Sequence, residues 1–141
     1  MGGALAGASV LELAYHRAAW ARAAAPAEGN LFDLQQAADG VFFAHARAQA
    51  MINCNAAVFV RSKDVVIVDA HSKPSAAAAL LAQIKREVTT KPVRYVINTH
   101  FHWDHTQGNQ AYTQTGSKVD FIATSATKQL IDVYKRQEEA R

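Results

Sequence analysis

Val93-Arg94-Tyr95-Val96-Ile97-Asn98-Thr99-His100-Phe101-His102-Trp103-Asp104-His105-Thr106-Gln107-Gly108-Asn109 is the stretch that decides how this chain reads. Its centre is His-x-His-x-Asp-His, four metal-capable side chains within six positions. Imidazole nitrogen and carboxylate oxygen are ligands that zinc and its neighbours prefer. A lone histidine is usually a surface or packed residue, but a cluster this dense has few other uses. On an extended chain, residues two apart point the same way, so His100 and His102 are placed to grip one ion together. Asp104 and His105 then turn away, toward a second ion or a bound water. Phe101 and Trp103 alternate with these residues and read as packing for the loop.

The residues before the motif supply its setting. Val93–Ile97 is a short β-rich run after Pro92, which predicts a buried strand. The motif therefore sits just past a strand's carboxyl end, where open α/β sheets place their ligands. Working outward, Pro74 with Ser72 and Ser75 as capping candidates predicts a helix over about 75–88. Leu80, Ile84 and Val88 form its buried stripe, and Lys85 and Arg86 face water. Thr89-Thr90-Lys91-Pro92 stops it, because a residue before proline avoids helical angles.

Further out, Val41–Ala44 and Ala56–Val60 read as strands, with a turn at Asp39-Gly40. Ser62-Lys63-Asp64 is a second turn, from which Val65–Asp69 returns antiparallel. Val65–Val68 is apolar throughout and is expected to be covered on both faces. After the motif, the pattern predicts a short helix over 109–113, a strand over 119–123 and a final helix from Ser125 to about Tyr134. Alternating strands and helices indicate an α/β layer.

These residues together resemble the metallo-β-lactamase superfamily. Val65-Val66-Ile67-Val68-Asp69 is similar to that family's strand ending in aspartate. Thr106-Gln107-Gly108-Asn109 resembles its Thr-Gly-Gly-Asn, with Gln107 in place of the commoner glycine. The resemblance spans about residues 39–133 and implies part of an αββα sandwich. It implies that His100 and His102 are two of the three ligands of a first metal, and Asp104 and His105 two ligands of a second. Asp104 would also orient the water between the ions and act in catalysis, and Asp69 would support the loop from behind. The implied cofactor is zinc, two ions in a complete domain, with iron or manganese as alternatives. The implied reaction is hydrolysis of an ester, lactone, β-lactam or similar bond in a small-molecule substrate, by a hydroxide activated on the metal. A metal-binding module without catalysis and an iron-dependent redox relative stay open.

The family completes its site with a histidine, a bridging aspartate and a final histidine, all well beyond the motif. No histidine follows His105 here, and the later acids are Asp120, Asp132, Glu138 and Glu139. His16, His45 and His71 precede the motif and match none of those ligands, although His71 could stand at the rim of the cleft. The chain thus reads as the amino-terminal half of such a domain, which is expected to expose a face meant to be covered and so to be marginally stable or to self-associate.

Composition sets outer bounds. A chain of 141 residues with 50% hydrophobic residues suits one globular domain. The net charge of +3 comes from scattered Lys and Arg with no basic run among aromatics, which argues against nucleic acid. Cys54, the single cysteine, excludes an internal disulfide and reads as a small packing residue. Residues 1–27 form a separate Ala-rich segment ending Ala25-Pro26-Ala27, similar to a cleavage signal. It reads as the latter part of an export signal or as an amphipathic helix, so the location is exported or periplasmic, otherwise cytoplasmic. Its apolar stretch is too short to span a membrane. Residues 28–141 form the partial metallo-β-lactamase-like domain.

Overall fold

The computed structural model describes residues 30–139, and the signal-like segment lies outside the described residues. Six strands form one sheet in sequence order, β1 (Phe32–Ala38), β2 (Val41–Ala46), β3 (Ala56–Val60), β4 (Val65–Val68), β5 (Val93–Ile97) and β6 (Asp120–Ile122). The first four pair antiparallel through short connections, and β4–β5–β6 run parallel. The change of direction follows from the connections. Parallel neighbours need a crossover, and α1 (Pro74–Glu87) supplies it between β4 and β5. The motif segment, with the short helices α2 (Trp103–Thr106) and α3 (Asn109–Thr113), supplies the next. A final helix, α4, runs from Ser125 to Glu139.

One face of the sheet holds the core. Ala44, Ala56, Val58, Val65, Ile67 and Val96 from the strands pack with Ala76, Ala77, Leu80 and Ile84 from α1 and with Tyr112 from α3. The opposite face, on the cross-strand rows of Val66 and Val68, carries Phe59, Phe43 and Ile122, all exposed by more than a third. Val66 and Val68 are accordingly half-buried. This corrects the expectation of cover on both sides of β4. Among the described residues, no helix is long and apolar enough to cross a membrane.

Three local readings also change. The sequence carries no clear strand signal for β1, because Phe32-Asp33-Leu34-Gln35-Gln36 lacks β-branched residues. It forms because Phe32 is sealed in the core and the strand pairs with β2 through the Asp39-Gly40 turn, where Gly40 has φ 65°. The N-cap of α1 is Lys73 with no side-chain capping bond, so neither Ser72 nor Ser75 caps it. Pro74 at the first helical position still fits, because its missing N–H would have had no partner there. Lastly, α4 continues past Tyr134 to Glu139.

Candidate metal centre

The centre is assembled where β4 and β5 end side by side. Past Val68 the chain leaves the sheet through Asp69-Ala70-His71. Asp69 and His71 have φ of 65° and 70°, the left-handed region that aspartate and histidine tolerate better than most residues. Main-chain bonds tie this turn to the motif. Asp69 N–H donates to Ile97 O at 2.8 Å, Ala70 N–H to His105 O at 2.9 Å, and Gly108 N–H to His71 O at 2.9 Å. Gly108 has no room for a side chain, since a Cβ there would lie 1.7 Å from Ala70 O.

Asn98 and Asn109 clasp the two ends of the loop. Their side-chain amides exchange hydrogen bonds of 3.2 and 2.8 Å, and Asn98 Nδ2–H also donates to His105 O at 2.9 Å. Asn98 is buried, so these partners satisfy an amide that would be costly to leave unpaired.

Asp69 organises the histidines. Its Oδ1 accepts from Thr99 N–H at 2.9 Å, and the Thr99 hydroxyl lies 2.8 Å from Oδ2 and 3.0 Å from Oδ1. That hydroxyl is also 3.0 Å from His100 Nδ1. A hydroxyl carries one proton. If it is given to Asp69, the oxygen accepts from His100 Nδ1–H and Nε2 keeps its lone pair for a ligand. Asp69 Oδ2 also lies 2.9 Å from His105 Nδ1, a close approach without the alignment of a linear hydrogen bond. This is how partners behind a metal site fix ring orientation.

The donor side chains gather on one loop, in a different arrangement from the extended one expected. The rings of His100 and His102 have centroids 4.7 Å apart, and those of His100 and His105 only 4.0 Å. His105 does not turn away, because the single turn of α2 swings it back toward His100. Its Nε2 stands 3.5 Å from Asp104 Oδ2. Two donors on one tetrahedral ion with bonds of about 2.0–2.1 Å stand roughly 3.4 Å apart, so this pair has the spacing to share an ion. Among the described residues, no group of three or more His, Cys, Asp or Glu side chains is arranged to hold a metal ion. The donors therefore fit zinc in kind, and the Asp104–His105 pair in spacing, without closing around a point. Trp103 is 53% exposed. Phe101 is half-buried with its ring 4.7 Å from that of His102.

His71 is fully buried and does not stand at a rim. Its Nδ1–H donates to Cys54 O at 3.2 Å, its ring stacks on Phe32, and Nε2 has no partner. Burial pushes its pKa down to about 4 against the help of the Cys54 carbonyl. Burial also pushes the Cys54 thiol up to about 12, with the charges of Asp69 and Asp104 adding to it. Thr99, the Asn98–Asn109 clasp and the roles of Gly108 and His71 carry no distinct signature in the sequence. The polar residues flanking the motif were visible, but nothing in one dimension says which of them meet.

The family model of the metallo-beta-lactamase superfamily matches residues 51–141, and the chain belongs to that superfamily. Among solved structures, it is similar to a metallo beta lactamase from Hirschia baltica, with 25% identity and a TM-score of 0.61 over 74% of this chain. It is also similar in fold to one from Erythrobacter litoralis, solved with beta mercaptoethanol in its active site, with 21% identity and a TM-score of 0.63 over 77% of this chain. The chain covers 48% of each of these proteins, about half their length.

Proposed function

We propose that this chain carries the metal-binding loop of a zinc-dependent hydrolase acting on an ester, lactone, β-lactam or similar bond. The observation that carries the reading is the gathering of His100, His102 and His105 on one loop, with Asp104 beside His105 Nε2. His100 and His102 would hold one ion, and Asp104 and His105 a second. When bound, such an ion supplies Lewis acidity, lowering the pKa of a coordinated water to about 7. The protein's own part is orientation. Asp69 lies 2.9 Å from His105 Nδ1 and reaches His100 through Thr99, so in both rings Nε2 is the nitrogen left for a ligand. Asp104, half-buried beside His105, would accept a proton from a nucleophilic water.

A metal-binding module without catalysis is the second reading. It is favoured by one observation, that no three described donors close around a point.

Metal content decides between these and neither. Elemental analysis of the purified chain is expected to give near-stoichiometric zinc, which a His100→Ala, His102→Ala double variant loses. Zinc with hydrolysis across an ester, lactone and β-lactam panel supports the first reading. Zinc without hydrolysis supports the second, and a wild-type chain free of metal overturns both.

A further inference from the structure

We infer that His71 is a positioning residue, whose ring anchors the turn after β4 so that its main chain holds the His105–Gly108 stretch in place. The inference takes from the reading above only the role of His105. Asp69 and His71, both left-handed, flank Ala70. Residues held in such sparsely populated conformations persist only where their surroundings over-determine them. The ring of His71 supplies part of that hold. Nδ1 lies 3.2 Å from Cys54 O and 3.3 Å from Cys54 Sγ, and the ring stacks on Phe32 with centroids 4.7 Å apart and planes at 30°. Cys54 precedes β3 and Phe32 opens β1, so one side chain ties the turn to two distant parts of the sheet.

From the same residue, the carbonyl accepts Gly108 N–H at 2.9 Å, and the preceding Ala70 N–H donates to His105 O at 2.9 Å. The imidazole is sealed from solvent, so its influence on the loop passes through the main chain. It stays neutral near neutral pH, as an anchor donating one N–H to a carbonyl should. Histidine also suits the backbone here, being among the residues enriched at positive φ.

The test is amide hydrogen exchange at Gly108 and Ala70, followed by NMR in three variants. Asparagine tolerates the left-handed region, and its amide nitrogen overlays Nδ1. Glutamine reaches instead toward Nε2, which has no partner. In His71→Leu, exchange at Gly108 and Ala70 is expected to rise on the order of tenfold, the factor that the loss of one hydrogen bond allows. The amides of β4 and β5 should move much less. His71→Asn should restore protection and His71→Gln should not. Wild-type protection at Gly108 in the leucine variant, or equal behaviour of the Asn and Gln variants, overturns the proposal. Should the leucine variant fail to fold, the Asn and Gln pair decides alone. Exchange needs no bound ion, so a chain that binds no zinc would sink the proposed function and leave this result intact.

Discussion

The hydroxyl of Thr99 stands between Asp69 and His100, 2.8 Å from the carboxylate Oδ2 and 3.0 Å from the ring Nδ1. One small side chain thus passes the orienting effect of a buried acid to a histidine that the acid does not itself touch. Replacing Thr99 by valine keeps the shape and removes the relay. With His100 as the proposed ligand, zinc affinity is expected to fall by about 10–100-fold, the usual consequence of losing a partner behind a metal ligand. Stability should change by only about 1 kcal/mol, because Asp69 keeps the Thr99 main-chain N–H. Competition with a chromophoric chelator measures the first and urea unfolding the second. An unchanged affinity would show that Thr99 does not orient His100.

Asp69→Ala should cost more. It removes a charged acceptor from Thr99 N–H and the Thr99 hydroxyl, and the contact with His105. Alanine at φ 65° is also strained. A loss of about 2–4 kcal/mol is expected in urea unfolding. Asp69→Asn should lose less, since asparagine tolerates the backbone and keeps one acceptor oxygen.

Gly108→Ala tests how closely the two halves of the centre approach. The new Cβ would meet Ala70 O at 1.7 Å, and both are main-chain positions that cannot rotate away. The loop must shift, with an expected cost of about 3 kcal/mol and weakened metal binding. A variant as stable as the wild type would mean that residues 69–71 and 105–108 are not held against each other.

The pH dependence of stability should show His71. Its pKa falls from 6.5 to about 4 on folding. As pH drops below about 6.5, the unfolded chain takes up a proton that the folded chain refuses until about 4, so stability declines across that window. The total loss from this group is up to about 3 kcal/mol. Urea unfolding at several pH values should show that slope, and His71→Asn should flatten it. An equal slope in both proteins would assign the effect to other groups.

Cys54 should be inert in the folded chain. The thiol is buried and its pKa is raised to about 12, so little thiolate exists at pH 8. Reaction with a thiol reagent is expected only at the rate of global unfolding. Fast labelling under native conditions would show that the connection before β3 opens by itself.

Much of this architecture was legible in one dimension. The Val65–Val68 and Val93–Ile97 runs, the Pro74-initiated helix and the Asp39-Gly40 turn carry signals that depend on near neighbours, and each appears in the fold. β1 is not legible in one dimension, because its hold is the burial of Phe32 and its pairing with β2, neither of which leaves a local pattern. The capping serines failed for the opposite reason. They have the right chemistry, but Lys73 starts the helix and Ser72 is drawn into the buried turn after Asp69.

By itself, the sequence determined that four metal-capable side chains lie within six positions at the end of a strand, because ligand chemistry and β-propensity belong to residue types. Only the tertiary structure decided which groups stand behind them. Asp69 reaches Thr99 across 30 residues, and His71 reaches Cys54 across 17. Such meetings arise because parallel pairing of β4 with β5 brings two strand ends together around an intervening helix. His105 came to lie beside His100 for a similar reason, since the turn of α2 is fixed by Ala70 and Asn98 holding His105 O in place.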